Sequence, residues 1–275
     1  MLLLILGFRF YFYRHFVASG MGEFHRSNFH FAILLITIGL ISSAGYLVND
    51  IFDVETDKIN KPNKKLPYSS DTRWIIYSFM NILAVIFTFL LSDNLTLKII
   101  LIGTIVLLYL YSSIFQKRIL IGNFIVAFLS GTLPFTYLFF EGLSVDSDYN
   151  LVKISLIIFY AILAFSITLL REIVKDKEDE KGDQLAEYKT LANSISERSF
   201  KIVTNLYIVI SIALVNLLIN YLKLEIYQGN KIYFWVACSF LFISSLYYIF
   251  KSNYKKTSLI LKLTLFLGVL FLYIL

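Results

Sequence analysis

The chain has 275 residues, of which 58% are hydrophobic, 17% aromatic and only 16% charged. A soluble domain carries roughly a quarter charged residues, and no water-facing surface hides so many Phe, Ile and Leu side chains, so a water-soluble globular fold is excluded. The formal charge of +6 comes from Lys and Arg residues set between apolar runs rather than along one face, which argues against nucleic acid as a partner and reads as membrane topology.

A membrane-crossing helix needs about 20 mainly apolar residues, and about nine runs near that length follow one another here. They span Leu2–Ala18, Phe29–Asn49, Thr72–Leu91, Leu97–Phe115, Ile121–Glu141, Val152–Leu170, Phe200–Leu222, Ile232–Phe250 and Ser258–Leu275. The pattern predicts an all-α, multi-pass transmembrane helical bundle of about nine helices, forming a single integral-membrane domain over 1–275. The first run contains Arg9 and Arg14 and lacks a small-residue cleavage pattern, so it reads as a short span rather than a signal peptide. Loops 58–71, 116–118, 171–201 and 251–256 hold most of the loop Lys and Arg residues, which predicts a plasma-membrane protein with those loops in the cytoplasm.

The remaining reactive residue types offer little. Cys238 sits inside an apolar run and reads as inert helix filler. His15, His25 and His30 lie near the N-terminus and away from the carboxylates, so they read as local polar packing rather than as zinc or di-iron ligands.

The carboxylates are different. At the end of the second run the chain reads Asn49-Asp50-Ile51-Phe52-Asp53-Val54-Glu55-Thr56-Asp57, with aspartates at i, i+3 and i+7. The end of the sixth run repeats that spacing with Asp176, Asp179 and Asp183. At 100° per residue each triplet shares one face of a continuous helix. Three stacked carboxylates repel one another, so a helix gains from them only when a cation is present. Magnesium suits such a site, because it prefers oxygen ligands and is held by one or two carboxylates together with substrate phosphate oxygens. Two matching clusters on one side of the membrane therefore suit a diphosphate bridged by metal. Lys58, Lys61, Lys64 and Lys65 follow the first cluster, and Arg171, Lys175 and Lys189 flank the second. Singly they are topology signals; together they offer charge for phosphate.

On these residues the sequence resembles the UbiA superfamily of intramembrane prenyltransferases. Asn49 to Asp57 match its motif Asn-Asp-x-x-Asp-x-x-x-Asp in full, and Asp176 to Asp183 match its second motif. The loop Asn60-Lys61-Pro62-Asn63-Lys64-Lys65-Leu66-Pro67 is similar to the segment that follows the first motif, with lysines replacing arginines. The stretch from Gly122 to Gly131 and the run from Arg171 to Asp176 look most like the branch of geranylgeranylglyceryl phosphate geranylgeranyltransferases.

The resemblance implies a Mg2+-dependent membrane prenyltransferase that moves an isoprenyl group from a polyprenyl diphosphate to a lipophilic acceptor and releases diphosphate. It implies metal ligation and catalysis by Asp50, Asp53, Asp57, Asp176, Asp179 and Asp183, with Asn49 as a further metal ligand. Diphosphate binding falls to Asn49, Lys64, Lys117, Arg171, Lys175 and Lys189, with Tyr109 or Tyr111 shielding a carbocation. The expected partners are the prenyl diphosphate, the acceptor and membrane lipid, with no nucleic acid and no obligate protein partner. The acceptor stays open between an aromatic ring carbon, as in a quinone precursor, and an alcohol oxygen, as in geranylgeranylglyceryl phosphate. An ion-coupled transporter with acidic cation sites is the alternative from another class, although a transporter more naturally sets its acids near mid-bilayer.

Overall fold

The computed structural model describes residues 1–18, 20, 23–60, 63, 67–91, 93–143, 148–221 and 231–274. Lys64, with Lys61, Pro62, Lys65 and Leu66, lies outside these residues, as does the side chain of Cys238.

Among the described residues the chain is all helical. Helix α1 is Leu2–Phe12 and runs into a π-helical turn at Tyr13–Val17; α2 is Asn28–Phe52, α3 Val54–Asn60, α4 Ser70–Leu91, α5 Leu95–Ser113 and α6 Ile121–Glu141. Helix α7 is Asp148–Glu178, α8 Glu180–Leu185, α9 Leu191–Ser194, α10 Glu197–Tyr221, α11 Lys231–Phe250 and α12 Tyr254–Phe271. Every apolar run read from the sequence is occupied by a helix. Six of them, α2, α4, α5, α6, α7 and α10, are long and apolar enough to cross a membrane. The count of six holds for the described residues, and the expected count of nine goes further: α1 is only 11 residues long, α12 carries Lys255, Lys256 and Lys262, and the described apolar part of α11 is Ser239–Phe250.

The exposed faces explain the composition. On α4, Ile75, Phe79, Ile82, Ile86 and Phe89 are all between 49% and 69% exposed, forming an apolar stripe at helical spacing. Water would oppose such a stripe and hydrocarbon accepts it. The opposite face buries Arg73, Ala84, Thr88 and Leu91. Thr88 also satisfies its hydroxyl locally, donating to the Ala84 carbonyl at 2.8 Å, as a hydroxyl facing a dry interior must.

Helix α2 packs on α4 and α5, α5 on α6, α6 on α7, and α7 on α10 and α12, while α12 meets α1 and α1 returns to α2. The crossing of α6 on α7 depends on Gly131: an added Cβ there would stand 3.0 Å from Phe165 Cβ and 3.1 Å from the Ala161 carbonyl oxygen. Small residues at helix crossings are how bundles in lipid gain dispersion contact without a hydrophobic drive.

Away from the carboxylate motifs, the buried pair Arg9 and Glu141 joins α1 to α6, with side chains only 9% and 3% exposed. The Arg9 guanidinium also lies over the rings of Phe24 and Phe31, at 3.9 and 4.5 Å from their centroids, and donates to Asn28 Oδ1 at 2.9 Å. This pairing accounts for an Arg inside an apolar run: its charge is matched and both faces of its planar group are covered.

Candidate active site

The two carboxylate triplets do not lie on straight helices. Asp53 separates α2 from α3 with φ −88° and ψ 9°, and Asp179 separates α7 from α8 with φ −93° and ψ 3°. In both motifs the middle aspartate is the bend. The helical ladder nevertheless persists through each: Asp53 N–H donates to the Asn49 carbonyl at 2.9 Å and Asp57 N–H to Asp53 at 2.8 Å. The second motif repeats this, from Asp179 to Lys175 at 2.9 Å and from Asp183 to Asp179 at 3.2 Å. Each triplet thus spans two helices joined at its middle aspartate rather than one uninterrupted helix.

Short helices α3 and α8 dock on each other through Asn60. Its Nδ2 donates to the Asp179 carbonyl at 3.1 Å, and its Oδ1 accepts from the Gly182 N–H at 3.1 Å. Any Cβ at Gly182 would overlap that amide, so the sequence needs glycine at this position. A single side chain therefore ties the end of the first motif to the bend of the second.

Two further amides fix individual carboxylates. Asp53 accepts from Asn49 Nδ2 and, at Oδ1, from Gln116 Nε2 at 2.9 Å. Asp176 Oδ2 accepts from Asn123 Nδ2 at 2.8 Å. Gln116 lies in the 3-10 turn Phe115–Lys117 between α5 and α6, and Asn123 in the first turn of α6. The α5–α6 connection thus supplies one clamp to each motif. Neither amide was given a role by the sequence, since Gln and Asn at helix ends are common caps; the available signs were their position beside a basic loop on the motif side and, for Asn123, its place in the Gly122 to Gly131 stretch that carries the family resemblance.

Burial pushes the Asp53 carboxyl above the ordinary carboxylate range, opposed first by the Gln116 hydrogen bond and then by the Lys175 charge. Burial, then repulsion from Asp179 and Asp53, pushes Asp183 up to about 7. Burial likewise raises the Tyr188 phenol, which Gln116 also contacts. These are carboxylates gathered in a buried site where they repel one another, a setting that favours cation binding.

A cavity of about 460 Å³ opens between α2, α5, α6 and α7. Asn49, Asp50, Arg171, Glu172 and Lys175 line its motif end, while the rest is uncharged, with Ile38, Ile41, Leu101, Leu129 and Leu133 interspersed with hydroxyls such as those of Thr104, Thr132 and Thr136. Its polarity is graded along one axis, from charged to apolar. Tyr111 lines it and Tyr109 does not. Two residues apart on a helix means about 200° of rotation, and Tyr109 is 40% exposed with its ring edge-on to Phe52. The expectation for Tyr109 is therefore corrected: it faces outward.

The remaining expected cations divide in two. Arg171 and Lys175 line the cavity, whereas Lys117 and Lys189 are exposed on neighbouring segments. Lys189 N–H donates to the Lys117 carbonyl at 3.1 Å, and the Lys117 ammonium stands 5.5 Å from the Tyr188 ring centroid. Among the described residues no three His, Cys, Asp or Glu side chains already converge into a metal cage. An all-oxygen donor set of carboxylates and an amide still fits Mg2+, which needs one or two carboxylates per ion and completes its shell with water and phosphate oxygens.

Helices that bury carboxylates at one end of a graded cavity define an intramembrane site for an amphiphile with a charged head and an apolar tail. Residues 11–274 match the sequence profile of the UbiA prenyltransferase family. The chain belongs to that family. It is 37% identical over 183 residues to the digeranylgeranylglyceryl phosphate synthase of Saccharolobus solfataricus, a match covering 64% of this chain and 62% of that protein. The first such relatives are thus matched over less than two thirds of their length. A solved structure concerning digeranylgeranylglyceryl phosphate synthase superposes with a TM-score of 0.67 at 22% identity, over 98% of this chain and 92% of that one. A UbiA homolog from Archaeoglobus fulgidus, solved with DMAPP and Mg2+, does so with a TM-score of 0.60 at 15% identity, over 100% and 96%. Both likenesses establish the fold. The transporter alternative gains no support, since the acids stand at helix ends.

Proposed function

We propose that this chain transfers an isoprenyl group from a polyprenyl diphosphate to the hydroxyl of a glycerol-phosphate-type lipid, at the cytoplasmic face of the membrane. The observation that carries the reading is the graded cavity: the motif residues Asn49 and Asp50 stand at its charged end, and uncharged, largely aliphatic residues with scattered hydroxyls line its depth. An isoprenyl diphosphate has the same gradient, and a site at the lipid boundary receives both halves without drawing the tail into water. The names of the similar curated proteins support an alcohol acceptor over an aromatic ring.

In this reading Asn49, Asp50, Asp53, Asp57, Asp176, Asp179 and Asp183 hold Mg2+, which when bound neutralises charge on the leaving diphosphate. Lys64, Lys117, Arg171, Lys175 and Lys189 bind the diphosphate oxygens, with Arg171 and Lys175 reaching it from inside the cavity. Gln116 and Asn123 keep Asp53 and Asp176 aimed. The C1–O bond of the donor breaks with its electron pair leaving on diphosphate, and the Tyr111 ring faces the allylic cation. The acceptor oxygen then bonds to C1. The positive-inside bias of the loops supports the cytoplasmic side.

The test is transfer of labelled prenyl groups by purified protein in detergent, with Mg2+ or EDTA, offering geranylgeranylglyceryl phosphate and 4-hydroxybenzoate in parallel. The expected result is Mg2+-dependent ether product from the first acceptor. Product from the second alone would move the assignment to aromatic prenylation, and no turnover or Mg2+-dependent binding of the donor would overturn it.

A further inference from the structure

Forming an ether from an alcohol releases a proton, and the motif acids cannot accept it while they are bound to metal, because a metal ligand must stay deprotonated. Lys175 and Arg171 are cations without an acceptor atom. Among the described residues lining the cavity, the acids are Asp50, which belongs to the first motif, and Glu172, which belongs to neither.

Glu172 is only 7% exposed. It lies four residues before Asp176 on α7, about 6 Å nearer the apolar half along the helix axis. The reacting C1 of a prenyl diphosphate lies on that same side of the phosphates, toward the tail, so Glu172 stands at the level where the new bond forms. Arg171 Nη1 donates to Glu172 Oε1. Neighbouring helical residues do not ordinarily face each other, so the Arg171 side chain bends round to make this contact and fixes the carboxylate's direction. The second oxygen, Oε2, makes no hydrogen bond among the described residues. One helical turn deeper, Thr168 Oγ1 donates to Ser130 Oγ at 3.0 Å, so those hydroxyls are occupied with each other.

We infer that Glu172 is a catalytic residue that receives the proton of the acceptor hydroxyl. The inference rests on the proposed function and deepens it by naming the group that handles the alcohol. As the donor C1–O bond breaks with its electrons leaving on diphosphate, a lone pair of the acceptor oxygen forms the ether bond to C1. The O–H electrons return to that oxygen, the proton passes to Glu172 Oε2, and it is released to water when the product leaves. Before transfer, the same oxygen accepts the hydroxyl's hydrogen bond and turns its lone pair toward C1.

Ionisation and transfer can be read separately. With donor labelled by 18O at the bridging position, exchange of label into non-bridging positions reports C1–O cleavage and return, and product reports transfer. For Glu172→Gln in the full-length protein, with Mg2+ and alcohol acceptor, transfer is expected to fall by about 10²-fold or more while exchange stays within about 2-fold of wild type. Glu172→Asp should restore part of the transfer. Loss of exchange and transfer together would overturn the inference in favour of a role in metal or donor binding. Undiminished transfer would overturn it in favour of diphosphate as the proton acceptor. Wild-type protein showing neither exchange nor transfer would instead overturn the prenyltransferase reading beneath it.

Discussion

In the first motif the bend falls on Asp53, whose carboxylate is gripped by the amides of Asn49 and Gln116. In the second it falls on Asp179, where the amide of Asn60 grips the main chain instead. The first motif is thus fixed at its middle side chain and the second at its backbone, with Asn123 holding only the leading carboxylate, Asp176. Two copies of one spacing have been given different freedoms. Under the proposed function this difference divides the labour: the first motif presents its middle carboxylate already aimed, and the second leaves the Asp179 and Asp183 side chains to be aimed by metal and diphosphate.

The sharpest way to break the comparison is to remove the middle acid from either half. Asp53→Ala and Asp179→Ala should each lower prenyl transfer by at least about 10³-fold, measured as turnover at saturating Mg2+. If one variant kept near-normal turnover, that motif would be ornamental.

Gly182→Ala comes next, because its methyl group would collide with the Asn60 amide that joins α3 to α8. Turnover should fall about 10²-fold, comparable to misplacing a reacting group by an ångström. Asn60→Ala added to Gly182→Ala should recover part of this by opening the space, so that the double variant is more active than Gly182→Ala alone. A simple product of the two single effects would show that the dock is not the shared element.

Smaller effects separate the clamps. Gln116→Ala and Asn123→Ala leave every carboxylate in place and remove one orienting hydrogen bond each. Each should raise the Mg2+ concentration for half-maximal activity by about 10-fold, read by metal titration, with Gln116→Ala the larger because it frees the middle carboxylate of the first motif. The smallest contrast is between two tyrosines. Tyr109→Ala should leave turnover within about 2-fold, whereas Tyr111→Ala should lower it about 10-fold by removing a ring from the cavity.

Much of this was legible in the sequence. The apolar runs fixed the helices because hydrocarbon demands length and apolarity together, and Ile121–Glu141 begins and ends where the pattern put it. The aspartate spacing singled out the two segments that the structure joins through Asn60. What escaped was geometry made at a distance. The bends at Asp53 and Asp179 carry no Gly or Pro to announce them, because the ladder survives each kink. Helix α7 runs on to Glu178, past the end of the apolar run at Leu170, as the helical spacing of the second triplet required. Gln116, Asn123 and Asn60 act across gaps of 63, 53 and 119 residues, separations that no local pattern encodes.

The central claim is that both motifs hold one diphosphate. The most direct measurement is calorimetric binding of a non-hydrolysable prenyl thiolodiphosphate with Mg2+ to wild type, Asp53→Ala, Asp179→Ala and the double variant. The account predicts that each single change removes nearly all of the Mg2+-dependent affinity and that the double change costs little more. Independent, additive losses from the two motifs would contradict it.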